Sequence, residues 1–183
     1  MKMICQASVL ALSVAMVTIW GFGQVEAQDL PLSDLSQWHQ YATENGSYQV
    51  GVDLVDGSPV VQLRSNRKRA SGFGTQMKTI SSQPYLGKQL RFTAELRTED
   101  VKKWAGLWMR VDSRRIRSLA FENMRDRPIR GTTDWAEYEI VLPVAPNSSS
   151  ISFGVLLNAS GTVVMRNTRL EAVEEDFALE AGR

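Results

Sequence analysis

Leu90-Arg91-Phe92-Thr93-Ala94-Glu95-Leu96-Arg97 is the stretch that decides the fold. Leu90, Phe92, Ala94 and Leu96 fall on one side of an extended chain; Arg91, Thr93, Glu95 and Arg97 fall on the other. This alternation marks a strand with one face in a core and the other in water. The pattern continues downstream. Ala105, Leu107, Met109 and Val111 share one side of a second strand, and Gly106, Trp108 and Arg110 share the other. Further short runs lie at 48–54, 59–64, 73–80, 118–124, 135–144, 151–158 and 162–173. They are separated by Asp56-Gly57-Ser58, Gln83-Pro84-Tyr85-Leu86-Gly87, Arg125-Asp126-Arg127-Pro128, Pro146-Asn147 and Ser160-Gly161. Such residues supply turns rather than element interiors. No long stretch has the apolar spacing of a helix. Eight to ten short strands predict an all-β, two-sheet antiparallel jelly-roll β-sandwich.

The N-terminus reads separately. Lys2 supplies a positive start, 4–20 is uncharged and mostly apolar, Gly21-Phe22-Gly23-Gln24 breaks the run, and Val25-Glu26-Ala27 resembles a processing site. This is the layout of a secretory signal peptide over 1–27, and the alternative reading is a retained membrane anchor. A periplasmic or secreted location is the expectation, with no membrane association after cleavage. Cys5, the one cysteine, lies within 1–27, so cleavage would leave a chain with neither disulfide nor thiolate metal site. Without internal repeats or low-complexity linkers, 28–173 reads as one sandwich domain, and 174–183 as a flexible acidic tail.

Composition and motifs narrow the chemistry. The formal net charge is +1, from 21 basic and 20 acidic residues. This balance leaves no footprint for nucleic acid. His39 is the single histidine, and no Gly-x-Ser-x-Gly elbow accompanies it. Gly72-Phe73-Gly74 lacks the Lys-Ser/Thr of a phosphate loop. No catalytic, metal or cofactor site is expected from these motifs. Carboxylate chemistry stays open through Glu137 and Glu139, about 7 Å apart on one strand face by the strand rise.

Trp108 and Arg110 form the more informative constellation. An indole on the non-core face can stack on a sugar, and a neighbouring guanidinium can donate to hydroxyls or carboxylates. Gln76, Glu95, Glu122, Asn123 and Arg125 complete the candidate ligand-binding set. A second reading stands beside it: Trp108 packs under a loop, and Arg110 pairs with an acid such as Glu95 or Glu122.

Several blocks carry a resemblance: Gly72-Phe73-Gly74-Thr75-Gln76-Met77, Tyr85-Leu86-Gly87-Lys88, Trp104 to Asp112, Ala120 to Ile129, Gly131-Thr132-Thr133-Asp134-Trp135 and Phe153-Gly154-Val155-Leu156-Leu157. Over roughly 48–171 the chain resembles a galactose-binding-like jelly roll similar to carbohydrate-binding modules, of the type found as an accessory domain on bacterial regulators and peptidases. The resemblance implies a β-sandwich with a ligand surface. Related modules commonly carry an Asp in the last strand that can help hold calcium. Arg166-Asn167 stands there in this chain, and arginine cannot ligate a hard cation. The expectation is an exported, non-catalytic module for carbohydrate or cell-envelope glycan. A structural or protein-interaction domain, its partner unknown, is the alternative, and a carboxylate-dependent glycosidase is a third.

Overall fold

A computed structural model describes residues 27–32 and 35–173. The signal-peptide reading, apart from Ala27, and the acidic-tail reading lie outside the described residues. Ten strands run in chain order: β1 (Gln28–Asp29), β2 (Trp38–Ala42), β3 (Tyr48–Val55), β4 (Ser58–Ser65), β5 (Phe73–Ser81), β6 (Gln89–Asp112), β7 (Ala120–Glu122), β8 (Ile129–Pro143), β9 (Ser150–Asn158) and β10 (Thr162–Val173). All pairings are antiparallel. One 3₁₀ turn, Gln83–Tyr85, joins β5 to β6.

The expected strands around Leu90 and Ala105 are one element. β6 runs for 24 residues and serves both leaves of the sandwich. Its first part, Gln89 to Thr98, lies between β8 and β10; its last part, Trp104 to Asp112, lies between β9 and β7. The first leaf therefore has the order β8-β6-β10-β4-β3, with β1 added to β10. The second has the order β2-β5-β9-β6-β7. Asp100, with φ of 52°, marks the bend between them, where the β6–β8 register also shifts.

The link from β9 to β10 follows this bend. Gly161 has φ of 137°, and an added Cβ would lie 2.7 Å from Val101 Cα. Only glycine lets the crossover pass so close to the bent strand. The residues whose alternation predicted the fold then meet across the interior. Leu90, Phe92 and Leu96 from the first leaf share one buried cluster with Leu107, Met109 and Val111 from the second. The rings of Phe92 and Phe153 approach to 4.9 Å between centroids and tie the leaves together.

Gly154 holds a second close approach. An added Cβ there would collide with the Gln76 carbonyl oxygen and lie 2.8 Å from Met77 Cα, both backbone atoms of β5. Backbone cannot swing aside as a side chain can. Gly154→Ala is expected to lower stability by about 1–3 kcal/mol, the usual cost of overpacking. Urea unfolding of the variant checks this.

Candidate functional site

The outward face of the second leaf follows from its register. Trp108 pairs with Gly154, which pairs with Met77, which pairs with His39. One row along lie Gly106, Leu156, Thr75 and Tyr41, and two rows along lie Trp104, Asn158 and Phe73. Register partners in an antiparallel sheet point to the same side. Trp104, Trp108, Phe73 and Tyr41 therefore belong to one sheet face, opposite the core side of Leu107 and Met109.

Trp108 is not an open platform. It is only 6% exposed, and its indole Nε1–H donates to Thr75 Oγ1 at 2.7 Å. Thr75 lies two strands away, so the side chain spans β9. Thr75 Oγ1 in turn donates to the Val155 carbonyl at 2.7 Å. The indole is a tie between β6 and β5, and its N–H is already satisfied. Arg110 directs Nε at both oxygens of Asp112, at 3.0 and 2.9 Å. Asp112 also accepts from the Ser118 backbone N–H at 2.7 Å. Of the two readings of this pair, the structural one describes what Trp108 and Arg110 do, with Asp112 as the acid in place of Glu95 or Glu122.

The open part of this face lies towards the β6 bend. A cleft of about 740 Å³ is lined by Phe73, Trp104, Phe121, Leu156, Asn123, Asn158, Pro128 and four cations, Lys102, Lys103, Arg125 and Arg130. Phe121 is 51% exposed, and Trp104 and Phe73 are partly exposed. Tyr41, itself exposed, packs against Phe73 with ring centroids 5.9 Å apart. Asn158 Oδ1 is buried and has no hydrogen-bond partner among the described residues.

The remaining candidates scatter. Asn123 and Arg125 line the cleft, and the Asn123 Oδ1 accepts the Arg125 backbone N–H at 3.3 Å. Gln76 pairs in register with Val155 and Gln40, one residue out of phase with Thr75, and lies buried on the core side. Glu122 shares register with the core-facing Met109 and pairs with Arg127, whose guanidinium also reaches the Glu139 carbonyl. Glu95 belongs to the other leaf altogether. Gln76, Glu95 and Glu122 therefore do not join Trp108 and Arg110 in a single site.

Glu95 anchors an ion-pair lattice on the outward face of the first leaf. It accepts from Arg166 Nε at 2.8 Å and from Asn167 Nδ2 at 2.7 Å. These hydrogen bonds, from Asn167 first and then Arg166, hold its carboxyl below the ordinary value of 4.5. Arg166 also stacks over Trp135 at 4.1 Å, and Arg97 approaches the same ring at 5.1 Å. Arg166 and Asn167 are thus both engaged by Glu95, and Arg166 by Trp135 as well. Glu137 and Glu139 line a separate cleft of about 570 Å³ on this leaf. Within it Arg91 pairs with Glu139 at 3.1 Å and with Glu171 at 3.2 Å.

A pH dependence follows from Glu95. A carboxyl held below its unfolded value adds stability above that value and loses it as pH falls through the lowered one. The melting-temperature gap between wild type and Glu95→Gln is therefore expected to stay constant from about pH 6 to 8 and to shrink below about pH 4.5. A thermal melt series across pH measures it.

Of the residues that line the cleft, Asn123 and Arg125 stood in the candidate set; the rings Phe73, Trp104 and Phe121, the cations Lys102, Lys103 and Arg130, and Asn158, Leu156 and Pro128 did not. Trp104 carried a usable signal, since it shares parity with Gly106, Trp108 and Arg110. Phe73 and Asn158 needed the register of β5 and β9, and Phe121 that of β7 against β6.

No protein-family model matches the chain. A curated relative, the uncharacterized HTH-type transcriptional regulator YbfP of Bacillus subtilis (strain 168), is 42% identical over 132 residues. That match covers 70% of this chain and 45% of the regulator, so the chain spans less than half of its relative. Among solved structures, the CBM22-1 xylan-binding domain of Paenibacillus barcinonensis Xyn10C superposes with TM-score 0.56 at 8% identity, covering 80% of this chain and 94% of that domain. The family 11 carbohydrate-binding module of a cellulosomal cellulase from Clostridium thermocellum gives 0.52 at 15% identity, covering 84% and 98%. The chain has the β-sandwich fold of carbohydrate-binding modules. An enzymatically active tailspike domain of bacteriophage CBA120 also superposes, at 0.57 and 13% identity, over 78% of this chain but 20% of that one. Shared fold with an enzyme chain therefore extends over a part of the enzyme.

Proposed function

We propose that this protein is a non-catalytic carbohydrate-binding module, and that its ligand lies in the cleft of Phe73, Trp104 and Phe121. The observation that carries the reading is the cleft itself: partly exposed rings grouped on one sheet face, with the Asn123 amide beside them. Rings present flat apolar faces to the C–H surfaces of sugars, and amides at the rim can meet hydroxyls. The solved carbohydrate-binding modules span nearly their whole length on this chain, which supports a binding unit of the same extent. The Glu137 and Glu139 carboxylates lie on the other leaf from these rings, which supports binding without hydrolysis.

The leader pattern of 1–27 supports action outside the cytoplasm, in the periplasm or medium. The regulator relative supports a sensory use of the same unit where it forms part of a longer chain. Binding to an array of plant and bacterial oligosaccharides tests the central reading. Saturable binding of at least one glycan, without release of shortened product, is expected. An array flat throughout would remove it.

A second reading rests on β3, at the end of the first leaf. Val52 and Leu54 are exposed on it at 50% and 68%. An open edge bearing apolar side chains is a surface for strand pairing or protein contact. Crosslinking at Val52 in cells is expected to capture a defined partner under this reading, and to capture none under a purely glycan-binding role.

A further inference from the structure

We infer that the saccharide held by the cleft is anionic, its charge carried by a ring carboxylate or a sulfate ester. This inference rests on the carbohydrate reading of the same cleft. The chain is nearly neutral, with 21 basic and 20 acidic residues, yet the cleft departs from that balance. Lys102, Lys103, Arg125 and Arg130 line it, and no carboxylate does. None of the four forms an ion pair among the described residues. Elsewhere Arg91, Arg110, Arg127, Arg166 and Arg169 are each matched by an acid. Lys102 stands at the margin, shared with a neighbouring hollow that contains Glu99 and Asp100. Lys103, Arg125 and Arg130 are exposed and line the aromatic cleft.

Gathering like charges is unfavourable unless a ligand of opposite charge uses them. Glu122 and Asp126, the nearby acids in sequence, do not line the cleft, and Glu122 is held by Arg127. A neutral sugar makes use of rings and amides but has no need of three cations. An acidic sugar uses both, with guanidinium forks suited to carboxylate and sulfate oxygens. Single-stranded nucleic acid also combines charge with stacking, so it is the competitor to exclude.

Titration calorimetry on the purified protein decides the matter, using oligogalacturonate, a sulfated chondroitin oligosaccharide, xylohexaose and an oligothymidylate. At least one acidic oligosaccharide is expected to bind about tenfold or more tighter than xylohexaose, since charge-assisted bonds exceed neutral ones. The preference is expected to shrink between low and high salt. Lys103→Gln/Arg125→Gln/Arg130→Gln, made together, is expected to abolish it with an unchanged melting temperature, because all three side chains are exposed. The two acidic arms report which anion is preferred, and a preference for either supports the inference. Equal binding of xylohexaose and both acidic sugars, unaltered in the triple variant, would overturn it and leave the carbohydrate reading intact. Binding of no saccharide would remove that reading as well. Oligothymidylate binding as tight as the best sugar, and lost in the triple variant, would overturn the saccharide assignment in favour of a strand of nucleic acid.

Discussion

Trp108→Ala is expected to destabilise the fold by about 3–5 kcal/mol, the range for removing a large buried aromatic. The side chain is 6% exposed and crosses β9 to reach Thr75. Its loss removes ring packing over the middle of the second leaf, leaves a void, and deletes the bond between β6 and β5. Thr75 keeps its own bond to the Val155 carbonyl, so truncation leaves it short of a donor rather than wholly unpaired. Trp108→Phe, which retains most of the ring but not the N–H, is expected to cost only about 1–2 kcal/mol. Guanidinium unfolding of both variants measures the difference. Glycan affinity of Trp108→Phe is expected to equal that of wild type, because the indole edge already has its partner inside the sheet. Equal stability of wild type and Trp108→Ala would mean that the indole does not tie the leaf together.

The second large effect falls on binding. Trp104→Ala combined with Phe121→Ala is expected to weaken glycan affinity by roughly a hundredfold or more, as loss of two aromatic anchors does at other binding surfaces. Phe121 is half exposed on a three-residue edge strand, and Trp104 is partly exposed beside the bend of β6. Neither belongs to the buried cluster that joins the leaves. Stability of the double variant is therefore expected to fall by less than about 1 kcal/mol. A matched pair of calorimetric titrations and thermal melts separates the two quantities. Trp104 and Trp108 are four residues apart on one face of one strand, yet the first is expected to act on binding and the second on the fold.

That contrast shows where the sequence was informative. Alternation from Leu90 to Leu96 and from Ala105 to Val111 was legible because each stretch has one apolar face and the leaves bury those faces together. The continuity between them was not legible. The bend depends on Asp100 at φ of 52°, a conformation that nothing in Glu99-Asp100-Val101 announces. The strand expected over 118–124 shrinks to Ala120–Glu122, since Ser118 and Met124 on either side take φ of 65° and 58°.

The site was legible to a smaller extent. Parity along β6 places Trp104, Trp108 and Arg110 together, but burial depends on what lies across the neighbouring strands. Gly154 opposite Trp108, with Thr75 one row along on the next strand, is a fact of register between segments far apart in the chain. Gln76 was misplaced for a related reason. Gly74, Thr75 and Gln76 are all buried, so β5 has no wet face there to reveal which side each residue takes.

The most direct test of the carbohydrate cleft uses the indole N–H resonances of the protein as reporters. Trp104 lines the cleft, Trp108 lies beneath the same face, Trp38 is buried against Phe153 in the core, and Trp135 is stacked by Arg166 on the opposite leaf. A nitrogen–proton correlation spectrum is recorded during titration with the tightest-binding oligosaccharide. The Trp104 indole signal is expected to move and saturate with the calorimetric affinity, while those of Trp38 and Trp135 stay in place. Movement of Trp135 with Trp104 unmoved would put the ligand on the other leaf and contradict the account.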